Sequence, residues 1–128
     1  MNYQNYKCFK FAPKQVQKYI VHAQMELLDD KLGKEIVINN NLEIICAFNE
    51  EVPVGVIMYD SYSVDTKWIY LIYIEPEYRR KGICTTFFNY LKPFNLEFGT
   101  HPTNMVMIMT GKNNGFKEKM LILSYSKE

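Results

Sequence analysis

Residues 68–74, Trp-Ile-Tyr-Leu-Ile-Tyr-Ile, constrain this chain more than any other stretch. The run is apolar throughout, rich in aromatic and β-branched side chains, and ends at Glu75-Pro76. It is far shorter than the roughly 20 residues a bilayer span needs. Alternating residues of a strand face opposite ways, so a strand apolar at every position must be covered on both sides. Such a strand belongs at the centre of a sheet that has a layer packed on each face.

The flanking segments supply those layers. Residues 6–11 read as a first strand. Pro13 suits the first turn of a helix, in which Val16, Ile20, Ala23 and Leu27 recur at helical spacing. His22 lies off that stripe and reads as a solvated surface histidine. Residues 29–41 are polar and broken by Gly33 and three consecutive asparagines, which predicts a short helical turn and a loop. Residues 42–48 and 54–59 read as strands of a hairpin joined by the polar turn 49–53. After residue 82, Ile83, Phe87 and Leu91 mark a helix ended by Pro93. Residues 96–100 predict a further strand, and 116–125 again read as extended. Residues 103–110 fit two readings, since Met alternating with β-branched residues before a Gly-Lys-Asn-Asn-Gly turn also suits a strand. The order describes a mixed α+β fold in one domain, residues 1–128, with a central sheet and helices on its faces.

Composition narrows the function. Apolar residues make up 48% and charged residues 23% of the 128-residue chain, a balance that supports a packed core. Fifteen basic against fourteen acidic side chains leave a net charge of +1, which argues against a dedicated nucleic-acid binder. Cys8, Cys46 and Cys84 form no Cys-x-x-Cys pair and read as reduced thiols; with His22 and His101 the only imidazoles, no metal site is predicted. The first residues are too polar and aromatic for a signal peptide. A soluble, cytoplasmic protein is the expectation.

The chemistry concentrates in residues 73–91. A central strand gives way to Glu-Pro-Glu-Tyr-Arg-Arg-Lys-Gly, and a helix begins beside Gly82. The first turn of a helix presents unpaired N–H groups and the positive end of its dipole. Gly82 lets an anion approach the backbone closely, and Arg79, Arg80 and Lys81 add positive charge. The phosphate loop Gly-x-x-x-x-Gly-Lys-Ser/Thr and the dinucleotide fingerprint Gly-x-Gly-x-x-Gly are both absent from the sequence.

Residues 79–84, Arg-Arg-Lys-Gly-Ile-Cys, resemble the acyl-CoA-binding motif of the GNAT superfamily of N-acetyltransferases, Gln/Arg-x-x-Gly-x-Gly/Ala after a strand and a Pro-x-Tyr-Arg turn. Cys84 stands where that motif has glycine or alanine. Pro53-Val54-Gly55 resembles the hairpin at the start of the family's third strand. Asn104 with Gly115-Phe116 resembles its second signature, and that register favours helix over strand for 103–110. The likeness extends from Tyr6 to Phe116. It implies a mostly antiparallel sheet splayed where CoA binds, and direct attack of a primary amine on the acetyl-CoA thioester.

The resemblance also implies roles. Backbone groups of Ile72 and Ile74 would pair with the pantetheine arm. Arg79, Arg80, Lys81, Gly82, Ile83, Cys84 and Thr85 would hold the pyrophosphate, and Asn104 would contact the pantetheine or the acyl end. An N–H near Ile72 would stabilise the oxyanion. Two positions depart from the family. Trp68 occupies the slot where many members carry a carboxylate base, and Gly111 the slot of a tyrosine acid. Tyr70 and His101 are the remaining catalytic candidates. The alternative reading is a GNAT-fold module that binds acyl-CoA or a protein partner without turnover. Glu26, Asp29, Asp30, Glu50 and Glu51 could attract a cationic acceptor, although solvated surface charge is the simpler reading. The resemblance implies that the family's last two strands would be compressed or reduced to one after Phe116, leaving a sheet edge that a second copy could cover as a homodimer.

Overall fold

A computed structural model describes residues 1–29, 40–61, 63–92, 94–99, 105–119, 123 and 125. Five strands form one sheet in the order β1-β2-β3-β4-β5. They are β1 (Asn2–Tyr6), β2 (Glu43–Asn49), β3 (Val52–Ser61), β4 (Thr66–Ile74) and β5 (Asn95–Phe98). The pairs β1–β2, β2–β3 and β3–β4 are antiparallel, and β5 lies parallel to β4. Helices α1 (Lys14–Asp29), α2 (Ile83–Tyr90) and α3 (Met105–Asn113) complete the α+β fold. No helix among the described residues is long and apolar enough to cross a membrane.

Alternation along the strands divides the core into two layers. On the first face, Val16, Ile20 and Ala23 of α1, each fully buried, pack over Ile44, Cys46, Val56, Met58, Leu71 and Tyr73. On the second face, Ile83, Phe87, Phe88 and Leu91 pack over Ile45, Ala47, Val54, Ile57, Tyr59 and Ile69. Residues 68–74 therefore lie within a doubly covered strand, as their continuous apolarity requires. The three cysteines are free.

Several boundaries differ from the sequence reading. The first strand is Asn2–Tyr6, not 6–11, and Phe9–Phe11 form a 3-10 turn. The side-chain amide of Gln17 donates to the carbonyls of Phe9 and Ala12, at 2.8 and 3.1 Å, and ties that turn to α1. An edge strand needs only one paired side, so the polar Asn-Tyr-Gln-Asn-Tyr segment serves through its ladder with β2 rather than through burial. The β2–β3 connection is tighter than predicted, with Glu50 in the left-handed region at φ 56°. Residues 105–113 are helical, which decides between the two readings of that run. Residues 116–119 form no strand, and most of 29–41 and 120–128 lies outside the described residues.

Candidate acyl-donor site

The site is built where β4 leaves the sheet. The β4–β5 ladder holds four rungs and ends at Ile69↔Phe98, while β3 pairs with β4 as far as Ile74. Among the described residues β5 ends there while β4 runs on beside β3, and the edge of β4 left unpaired after Ile69 forms one arm of a fork. A β-bulge sits at its base: Tyr59 faces Ile69 and Met58 faces Leu71, so Tyr70 is the extra residue. A bulge bends its strand and breaks the alternation of side chains. Here it places Ile72 and Ile74 with the second-face cluster and Leu71 and Tyr73 with the first.

Beyond β4 the chain makes a 3-10 turn, Pro76–Tyr78, and reaches α2 through Arg79, Arg80, Lys81 and Gly82. Two residues of this connection are left-handed, Arg80 at φ 63° and Gly82 at φ 83°. Gly82 is the N-cap of α2 and supplies no side-chain hydrogen bond to it. Its carbonyl accepts from both the N–H and the hydroxyl of Thr86, at 2.9 Å each. The N–H groups of Ile83, Cys84 and Thr85 belong to the open first turn. A Cβ on Gly82 would have nothing within 4 Å, so the space beside these donors is clear. Ile83 is buried beneath them and fixes the helix to the sheet.

The basic residues divide their work. Arg80 and Lys81 are exposed, with the Lys81 ammonium 5.3 Å from the centre of the Tyr78 ring. The Tyr78 hydroxyl accepts from Asn49 at 2.7 Å, which ties the turn to the end of β2. Arg79 faces back toward the strand. Its Nε donates to the carbonyl of Ile74 at 2.8 Å, and its guanidinium lies 5.6 Å from the centre of the Tyr73 ring. It braces the turn against the end of β4. Cys84 is half-buried, and burial pushes its thiol up to about 11, so it adds no negative charge beside the cradle at neutral pH.

The other sequence candidates fare differently. Tyr70 is 45% exposed at the fork, its ring 6.5 Å from that of Trp68 and nearly perpendicular to it. Trp68 and Ile72 share no face, because the bulge between them shifts the count by one. Gly111 is buried in α3, where a Cβ would come within 2.9 Å of the Phe98 ring. That position faces the core, so an acid placed there would have to displace the Phe98 ring. His101 and Asn104 lie outside the described residues. His22 is less solitary than expected, with Nε2 3.1 Å from a carboxylate oxygen of Glu75 and its ring edge-on to Tyr73. An open depression of about 780 Å³ lies at the other end of the sheet, lined by Lys7, Cys8, Lys10, Phe11, Asn40, Asn41, Glu43, Asp60 and Ser61.

A known family matches most of this chain. Residues 4–104 fit the model of the acetyltransferase (GNAT) family. This chain belongs to the GNAT acetyltransferases. Solved structures agree on the fold of this GNAT chain. The aminoglycoside N-acetyltransferase AAC(6')-Iy in complex with CoA aligns with TM-score 0.71 and 16% identity, covering 99% of each chain. The aminoglycoside 6'-N-acetyltransferase AAC(6')-IG of Acinetobacter haemolyticus aligns with TM-score 0.66 and 14% identity, over 100% of this chain and 99% of its own. An integron cassette protein from the mobile metagenome of V. cholerae aligns with TM-score 0.71 and 13% identity, over 100% and 93%. No sequence among the curated proteins matches this chain.

Proposed function

We propose that this GNAT protein transfers an acetyl group from acetyl-CoA to a primary amine. The observation that carries the reading is the left-handed Gly82 at the open N-terminus of α2, directly beyond the β4–β5 fork. In this reading the pyrophosphate rests on the N–H groups of Ile83, Cys84 and Thr85, with Arg80 and Lys81 beside it and Arg79 holding the turn in shape. The pantetheine arm lies along β4 at Ile72 and Ile74, with Asn104 at the pantetheine or acyl end. A backbone N–H near Ile72 receives the oxyanion that develops on attack.

The reaction asks little of an acid. A CoA thiolate leaves with a thiol pKa of about 8.5, so the buried glycine in the acid slot is tolerable. The neighbours' complexes with CoA support the donor. Their aminoglycoside acceptors are primary amines on polycationic molecules, which supports the amine class for this chain. The packed Gly111 favours a second reading, a binder of acyl-CoA without turnover.

Calorimetric titration with acetyl-CoA followed by a thiol-release assay against peptides, polyamines and aminoglycosides tests both. Binding with turnover supports transfer, and binding without turnover supports the second reading. No binding at millimolar ligand removes both. Gly82→Trp is expected to abolish any binding seen, since its side chain fills the cradle.

A further inference from the structure

The carboxylate missing from position 68 has a neighbour. Trp68 and Glu97 are partners in the β4–β5 ladder, one rung below Ile69↔Phe98, where the fork opens. Leu96 and Phe98 pack into the second-face cluster, so Glu97 projects from the first face. Ile69 also belongs to the second-face cluster, which sends Trp68 to the first face beside Glu97. Paired strands lie about 4.8 Å apart, within the reach of a glutamate side chain. A carboxylate at 97 thus covers the place from which a carboxylate at 68 would act.

The described residues cover one side of the fork and leave the other open to an amine. Behind the fork, on the second face, the Phe116 ring lies 4.9 Å from the centres of the Phe88 and Phe98 rings, tilted to one and edge-on to the other, with Gly111 wedged against Phe98. On the first face, among the described residues, the side chains of Trp68, Tyr70 and Glu97 lie beside the fork, with the Glu97 side chain 24% exposed. Glu97 already holds a primary ammonium, because the Lys119 Nζ lies 3.0 Å from its Oε2. The Lys119 side chain is 73% exposed, and exposed ion pairs add little stability, so an incoming amine can take its place.

We infer that Glu97 is the carboxylate that receives the acceptor amine and takes its proton during transfer, an assignment that rests on the acetyl-CoA reading above. The bound ammonium first gives one proton to the Glu97 carboxylate, which releases it to solvent, and the neutral amine nitrogen then forms the C–N bond to the acetyl carbon as the carbonyl electron pair moves onto oxygen. The positively charged nitrogen gives one proton to the Glu97 carboxylate. When the carbonyl reforms, the C–S bond breaks and its electron pair leaves on sulfur. The proton held by Glu97 passes through solvent to that thiolate. Trp68 and Tyr70 wall the amine's path and exclude water from one side. No oxidant, reductant or further reactant is involved.

The test compares wild type, Glu97→Gln, Lys119→Ala and Asp60→Asn. Asp60 is the partner of Trp68 on β3, across the same rung but away from the fork, and serves as the charge-matched control. Four readouts are taken: thermal unfolding, acetyl-CoA affinity, and kcat and KM for thiol release with n-butylamine, spermidine and kanamycin. Glu97→Gln is expected to bind acetyl-CoA and unfold as wild type does, yet to lose about a hundredfold or more in kcat/KM, the scale of proton-transfer groups. Lys119→Ala is expected to keep or gain activity by lowering the KM for amine. Normal acetyl-CoA binding with less than threefold loss in Glu97→Gln, or a greater loss in Asp60→Asn, overturns the assignment. So does a wild type that binds acetyl-CoA and acetylates none of the amines. Failure of every protein to bind acetyl-CoA instead sinks the donor reading, and this assignment with it.

Discussion

Gly82→Ala separates the two demands placed on the turn before α2. Gly82 is held at φ 83°, where a Cβ crowds the following carbonyl. A side chain in the left-handed region costs roughly 1–2 kcal/mol. Nothing lies within 4 Å of the new Cβ, so no packing clash adds to that strain. Unfolding entropy is about 2.1 cal/mol/K per residue near the midpoint, hence about 0.27 kcal/mol/K for a chain of this length. The strain alone should lower Tm by about 4–7 °C. The same methyl group stands where an anion must approach the α2 amides, so acetyl-CoA affinity should fall at least tenfold, about 1.4 kcal/mol. Scanning calorimetry measures the first effect and isothermal titration the second. A lower Tm with unchanged affinity would show that the glycine serves only the backbone, and the cradle argument would fail. An unchanged Tm would refute the left-handed geometry itself.

Other substitutions test other parts. Gly111→Ala should lower stability by about 1–2 kcal/mol in urea unfolding, because overpacking against the Phe98 ring outweighs the helix-propensity gain of up to about 1 kcal/mol. Gly111→Tyr should reduce soluble yield and give no rise in thiol release, although it restores the family's acid by sequence. Arg79→Ala should weaken acetyl-CoA binding more than Arg79→Gln, which can still donate toward the Ile74 carbonyl. The raised thiol of Cys84 predicts an alkaline effect. Folding holds the proton more tightly than the unfolded chain does, so its contribution is present below the ordinary thiol value and is lost as pH rises toward about 11. Denaturation between pH 9 and 11 should accordingly show a smaller loss of stability in Cys84→Ala than in wild type.

What the sequence disclosed, and what it hid, follows from the range of the interactions involved. The α1 stripe at Val16, Ile20 and Ala23 and the doubly apolar β4 were legible because burial imposes a local periodicity on residues near in sequence. The basic turn that ends at the Gly82 cap of α2 was legible because Pro76 and Gly82 punctuate the chain between a strand and a helix. The bulge at Tyr70 leaves no such mark. It shifts the alternation by one, so Trp68 and Ile72 lie on opposite faces although an even count separates them. Glu97 was missed for a related reason. Its partner, Trp68, is 29 positions away, and the register of a parallel pair depends on the crossover helix rather than on any local spacing. The first strand was misplaced toward its apolar neighbours because an edge strand is held by backbone pairing, which polar residues serve equally well.

Amide chemical-shift mapping with acetyl-CoA tests the central claim most directly. The account predicts the largest changes at Arg80, Gly82, Ile83, Cys84 and Thr85, with a second group at Tyr70 and Ile72 along the fork. Changes confined to Lys7, Lys10 and their neighbours, around the depression at the other end of the sheet, would contradict it.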